Sequence, residues 1–176
     1  MRNIAIIALL LACVSVAGNA GNRKEFDLMK QENMKMKDKA EIYLAGGCFW
    51  GTEHFLKQIR GVEQTEVGYA NSQVPNPTYK EVCTGNTGAV ETVKVVYDPR
   101  TVDLDLLLDL YFQTIDPTSV NRQGGDSGLQ YRTGIYYIDK DDAPVIEAAI
   151  KDLAKDYAKP IAIEVDRKST RLNSSH

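Results

Sequence analysis

Ile42-Tyr43-Leu44-Ala45-Gly46-Gly47-Cys48-Phe49-Trp50-Gly51 decides how the chain is read. The apolar run 42–45 is short, ends on glycine and reads as a buried strand. Beyond it Phe49, Phe55, Leu56 and Ile59 recur at helical spacing, so a helix begins at or just after Cys48 and runs to about Gln58. Gly46 and Gly47 permit the sharp turn between strand and helix, because glycine adopts backbone angles closed to other residues. Cys48 then stands where free backbone N–H groups and the positive end of the helix dipole converge, a setting that favours a thiolate nucleophile. Phe49 and Trp50 suit the wall of an apolar pocket better than a turn. The bland alternative is a small buried cysteine between two core aromatics. A glycine-flanked turn, which exposes what it carries, argues against it.

Working outward, Gly61 closes the helix as a C-terminal glycine cap would. Residues 62–69 alternate as a second strand. Residues 72–88, with Pro75, Pro77, Gly85 and Gly88, form a long excursion that carries Tyr79 and Cys83. Residues 90–97 are a strand stopped by Asp98-Pro99, and 103–114 an amphipathic helix with Leu104, Leu107, Leu108, Tyr111 and Phe112 on one face. A second long loop, 116–132, is rich in glycine; loops of this length inside a compact domain are usually functional. Strand 133–138, helix 139–157 with Pro144 in its first turn, and strand 161–165 complete the series. The first six elements match an α+β ferredoxin-like split βαβ arrangement, a sheet with helices packed on one face, extended by a C-terminal α-β pair.

The 176 residues suit one domain with a sizeable core. Of the formal charge of −3, Arg2 contributes +1 and the last eleven residues +2, which leaves 21–165 at −6. That sign speaks against nucleic acid or an anionic membrane as main partner. Three cysteines, Cys13, Cys48 and Cys83, are too few for a disulfide scaffold. Residues 1–20 read as an export signal: Arg2 precedes an unbroken apolar run, 4–11, too short to span a bilayer. Two endings compete. Leu10-Leu11-Ala12-Cys13 resembles a lipoprotein box, with Cys13 lipidated, and Gly18-Asn19-Ala20 offers small residues for ordinary cleavage. The expected location is the cell envelope or periplasm, with membrane contact only through such an N-terminal lipid anchor, and a monomer is expected. Residues 21–39 form a charged, aperiodic tether that holds Met29, Met34 and Met36. The catalytic domain is placed at 40–165. Residues 166–176 are polar and basic, and one reverse translation of them reproduces a common sequencing-library adapter. The natural chain is therefore expected to break off near Val165, with a non-native tail behind it.

Several polar side chains fall in the long loops and at strand starts: Tyr79, Glu91 after Gly88-Ala89-Val90, Asp126 after Gly124-Gly125, and Tyr131 in Gln130-Tyr131-Arg132. Singly, each has an ordinary explanation as a packing tyrosine, a solvated strand residue or a turn aspartate. Together with Gly46–Gly51, Gly68-Tyr69, Asn76–Glu81, Tyr97-Asp98-Pro99, Asp116-Pro117-Thr118 and Arg122-Gln123-Gly124, they resemble the A-type peptide methionine sulfoxide reductases over residues 41–165. The resemblance implies reduction of the S-epimer of methionine sulfoxide, free or in proteins, with thioredoxin or a similar thiol as external reductant and no metal or organic cofactor. It departs from the family where His usually precedes the Glu, here Gly88-Ala89-Val90-Glu91. The family's aromatic and acidic continuation and its tail cysteine do not follow the last strand, so the domain is expected to be incomplete at its C-terminus.

The resemblance and the residue chemistry assign the same roles. Cys48 attacks the sulfoxide sulfur. Glu91, kept protonated by burial, protonates its oxygen. Tyr79 and Tyr131 donate hydrogen bonds to that oxygen, Asp126 orients the network, and Phe49 and Trp50 pack around the terminal methyl group. Cys83, four residues after Tyr79, faces the same way on a helical turn and is the internal candidate for resolving a Cys48 sulfenic acid. Two other classes compete: a thiol peroxidase or disulfide oxidoreductase using Cys48 and Cys83, and a non-enzymatic exported binding lipoprotein. A metal site from Cys48, His54 and Cys83 matches no common ligand spacing.

Overall fold

The computed structural model describes residues 39–167. The expected export signal, Cys13, the tether and its methionines, and the segment from 168 onward lie outside the described residues. Strand β1, Ala40–Ala45, leads through the Gly46-Gly47-Cys48 turn into helix α1, Phe49–Leu56. Strand β2 (Val62–Ala70), the short helix α2 (Tyr79–Val82), strand β3 (Val90–Tyr97) and helix α3 (Leu104–Phe112) follow. A two-residue ribbon, β4 (Arg122–Gln123) and β5 (Asp126–Ser127), and a 3₁₀ turn at Leu129–Tyr131 precede strand β6 (Gly134–Tyr137), helix α4 (Ala143–Leu153) and strand β7 (Glu164–Arg167).

The main sheet has the order β2-β3-β1-β6-β7. Strand β3 lies between β1 and β2 and is antiparallel to both, β6 is antiparallel to β1, and β7 runs parallel to β6. This is the split βαβ arrangement that the element order predicts, with the extra α-β pair adding β7 at an edge.

The pleat sorts side chains onto two faces. Ile42, Leu44, Val67, Tyr69, Val93, Val95 and Tyr97 join the helix residues Phe49, Leu56, Leu107, Leu108, Tyr111 and Ile146 in one core. Tyr43, Ala45, Ala70, Val90 and Tyr136 form a smaller cluster of their own. By parity Glu91 shares the core-facing side of β3 with Val93, Val95 and Tyr97, which places one carboxyl at the end of an apolar face.

Helix α3 starts where the Asp103 carboxylate accepts the Leu106 N–H at 2.9 Å. It buries Leu104, Leu107, Leu108, Tyr111 and Phe112. Truncation of the fully buried Leu107 or Leu108 to alanine costs about 2–5 kcal/mol by the usual cavity penalty. Tyr111, with no exposed surface, donates to the Ala45 carbonyl at 2.6 Å and so ties α3 to the last residue of β1, directly ahead of the Cys48 turn.

Four boundaries differ from expectation. Residues 79–82 form a helix inside the first long loop, begun by a capping box in which Thr78 and Glu81 satisfy each other's N–H groups. The second loop folds into β4, β5 and a 3₁₀ turn. Helix α4 is shorter than 139–157, because 3₁₀ turns at Lys140–Asp142 and Ala154–Asp156 take up its ends; Asp139 accepts the Asp141 N–H and starts the first of them. Strand β7 begins at Glu164 rather than Ile161. The Ala162 N–H is committed to the Pro117 carbonyl at 2.7 Å, and the backbone bonds toward the neighbouring strand start with Glu164 N–H to the Thr133 carbonyl at 3.0 Å. Asp166 and Arg167, read from the sequence as the start of a tail, stand opposite Tyr136 and Tyr137 in the sheet.

Candidate active site

The Cys48 turn is fixed from both sides. Gly47 has φ +78°, and a Cβ there would lie 2.7 Å from Gln123 Cβ, so only glycine fits. Gln123 is itself locked. Its amide oxygen accepts the Asp116 N–H and its amide nitrogen donates to the Asp116 carbonyl, both at 2.8 Å. From the helix side, the buried Thr52 hydroxyl donates to the Gly46 carbonyl at 2.9 Å. Cys48 occupies the N-cap of α1 with extended backbone angles (φ −60°, ψ 120°), and its side chain makes no capping hydrogen bond. The thiol is half-buried. It opens on a cleft of about 280 Å³ whose walls include Gly47, Thr52, Thr114, Gln123 and Asp126.

Glu91 reaches the same turn from below. It is 2% exposed, and its Oε2 accepts the Phe49 N–H at 3.1 Å. Burial raises its pKa above the ordinary carboxylate range; the Phe49 N–H works against that rise, and the nearby Asp126 carboxylate adds to it. The buried Phe49 packs edge-on against Trp50, with ring centroids 5.2 Å apart and planes at 76°. Trp50 is 56% exposed. It offers an exposed apolar surface two residues after the nucleophile.

Tyr79 and Tyr131 also come together. Interaction with the Tyr131 and Cys83 side chains holds the Tyr79 phenol well above its usual pKa range, although the residue is 57% exposed. The Cys83 N–H bonds the Tyr79 carbonyl at 2.9 Å, so the two side chains stack on one helical turn as their spacing predicts. Cys83 is a free, exposed thiol.

Two groups carry roles that sequence reasoning did not assign. Gln123 entered the sequence reading only within the Arg122-Gln123-Gly124 match, yet it braces the nucleophile's turn. Tyr69 stands opposite Glu91 in the β2–β3 ladder and packs on Phe49 with centroids 5.9 Å apart. Its sequence signal was present, since Gly68-Tyr69 ends a strand on the parity of the core. Among the described residues no group of three His, Cys, Asp or Glu is arranged to hold a metal ion.

A cysteine at a helix start whose following N–H is held by a buried carboxyl, on a ferredoxin-like scaffold, defines a thiol-based oxidoreductase. The family model described as peptide methionine sulfoxide reductase matches residues 40–173. Over 124 residues the chain is 59% identical to the peptide methionine sulfoxide reductase MsrA of Lachnoclostridium phytofermentans, which covers 70% of this chain and 75% of that protein. Among solved structures, Mxr1 from Saccharomyces cerevisiae in reduced form is similar at TM-score 0.71 and 32% identity, over 76% of this chain and 78% of that one. Mxr1 in complex with Trx2 is similar at TM-score 0.57 and 22% identity, over 76% and 79% of the two chains, a likeness of fold. The chain belongs to the peptide methionine sulfoxide reductase family.

Proposed function

We propose that this chain reduces methionine S-sulfoxide, in proteins or free, to methionine, with Cys48 as nucleophile and Glu91 as acid. The observation that carries this reading is the bond from the Phe49 N–H to Glu91 Oε2 at 3.1 Å, which holds the acid against the residue that follows the nucleophile. Sulfoxide sulfur accepts a nucleophile only when its oxygen is protonated or strongly hydrogen-bonded. The raised pKa of Glu91 lets its carboxyl keep a proton to give. Tyr79 and Tyr131 donate to the oxygen as it gains charge. Phe49 and Trp50 receive the methyl group, and Asp126 adds its field to Glu91. The Cys48 sulfur bonds to the sulfoxide sulfur, Glu91 transfers its proton to the oxygen, and collapse releases the thioether with Cys48 as sulfenic acid. The substrate sulfur gains two electrons and the cysteine sulfur loses two.

A thiol then condenses with the sulfenic acid, water leaves, and a second thiol cleaves the disulfide. The proposed reductant is a thioredoxin-like protein, a reading supported by the complex of the yeast relative with Trx2. The chemistry as proposed uses no metal or organic cofactor. The proposed location is the cell envelope, supported by Arg2 and the apolar run behind it, with a monomeric enzyme held there by lipid on Cys13 or released by cleavage after Ala20. Single-turnover reduction of methionine S-sulfoxide by the parent and by Cys48→Ser tests the activity. Undiminished methionine release without the thiol would overturn it.

A further inference from the structure

Glu91 carries the reactive proton in the reading above, and this inference rests on that reading. A carboxyl that must give up a proton inside a protein needs a neighbour able to accept the resulting charge. The Phe49 N–H supplies one fixed donor to Oε2. Directly across the β2–β3 ladder from Glu91 stands Tyr69. Residues opposed in an antiparallel pair project to the same face with Cβ atoms roughly 4.5–5.5 Å apart, within reach of a phenol and a carboxyl, directly or through one water. Tyr69 is 4% exposed, and its ring is held against Phe49 at 5.9 Å with planes at 38°. Acid, nucleophile-adjacent residue and phenol therefore form one packed triangle. Among the described residues no hydrogen bond within the protein occupies the Tyr69 hydroxyl. Burial, then Glu91, Cys83 and Tyr131 in that order, push the Tyr69 pKa up to about 12, so the phenol is protonated and able to donate at neutral pH.

We propose that Tyr69 is a positioning residue for the acid: its ring shields the sheet side of Glu91 from water, and its hydroxyl donates to the carboxylate formed as the proton passes to the sulfoxide oxygen. The two parts pull in opposite directions. Shielding keeps the resting carboxyl protonated, and the hydroxyl stabilises the anion that follows, so proton transfer is eased without an acid that is ionised at rest. Loss of the hydroxyl with the ring retained should weaken the acid. Activity requires Glu91 protonated and therefore falls as pH rises through its pKa, so that alkaline limb should move to higher pH while the plateau rate drops.

The test is the pH profile of single-turnover reduction of methionine S-sulfoxide by the full chain, in the parent, Tyr69→Phe and Glu91→Gln. Tyr69→Phe should lower the plateau about tenfold, the usual effect of a lost hydrogen bond to a charged group, and move the alkaline limb upward. Fluorotyrosine at position 69 preserves shape, folds as the parent does and is a stronger donor, so it should move the limb downward. Opposite shifts from the two replacements support the proposal, because a purely packing role would shift neither. An alkaline limb lost in Glu91→Gln but unmoved by both replacements overturns the role of Tyr69 and leaves Glu91 as the acid. A limb that survives Glu91→Gln overturns the assignment of Glu91 and this proposal with it.

Discussion

The backbone N–H of Phe49 donates to Glu91 Oε2 at 3.1 Å, across a sequence separation of 42 residues. This bond joins the first residue of α1 to the start of β3, and so fixes the acid relative to the nucleophile through the scaffold rather than through a flexible loop. It depends on the split βαβ order, because β3 lies beside β1 and brings Glu91 under the helix that β1 launches.

Replacement of Glu91 by glutamine should slow the reductive step by about 10²-fold, the lower end of what a general acid contributes, since an amide still donates a hydrogen bond to the oxygen. Rapid-quench measurement of methionine release checks this. An unchanged rate would show that Tyr79 and Tyr131 activate the oxygen unaided.

The same substitution should change how stability depends on pH. Glu91 has a folded-state pKa above its unfolded value of roughly 4.3. Below that value both states are protonated and the stability is complete. As pH climbs through the raised folded value, the unfolded chain gains from ionisation that the fold resists, and stability is lost. Thermal melts should therefore show Glu91→Gln gaining Tm relative to the parent at pH 8 and no such gain at pH 4. A difference that stays constant with pH would contradict a buried, proton-holding carboxyl.

Gly47→Ala should destabilise the fold by about 1–2 kcal/mol through the left-handed backbone alone. Its Cβ would also press on Gln123, whose two bonds to Asp116 prevent retreat. Reductase activity should fall with the displaced Cys48. A denaturation midpoint and turnover equal to the parent's would show that the turn has another solution.

Cys83→Ser isolates the thiol's chemistry, because serine can still hydrogen-bond with Tyr79. The first methionine per chain should appear at the parent's rate, since resolution follows the chemical step, and dithiothreitol should sustain turnover by direct attack on the sulfenic acid. Sustained turnover with thioredoxin by the parent that is lost in Cys83→Ser, while dithiothreitol still drives both, would make Cys83 the resolving thiol.

Much of the fold was legible because hydrophobic periodicity and turn residues agreed. The apolar run before Gly46 gave β1, the leucine stripe gave α3, and the order of elements gave the sheet. What escaped was set by distant partners. The start of β7 depends on the Pro117 carbonyl taking the Ala162 N–H, which no local pattern records. The motif residues Cys48, Glu91, Tyr79, Asp126 and Tyr131 were nameable from the chain, and the topology brings Glu91 to the Cys48 turn and Tyr79 to Tyr131. Gln123 and Tyr69 escaped because their roles lie in what they touch across the fold: one looks like loop, the other like core.

The most direct test of the account is trapping of the Cys48 oxidation product. One equivalent of methionine S-sulfoxide, without reductant and with a sulfenic-acid-specific dione present, should release about one methionine per chain and place the adduct on Cys48, as read by peptide mass spectrometry. Cys48→Ser should release none. Methionine release by Cys48→Ser within about tenfold of the parent, a barrier difference of only ~1.4 kcal/mol, or an adduct found on Cys83 alone, would contradict Cys48 as the nucleophile.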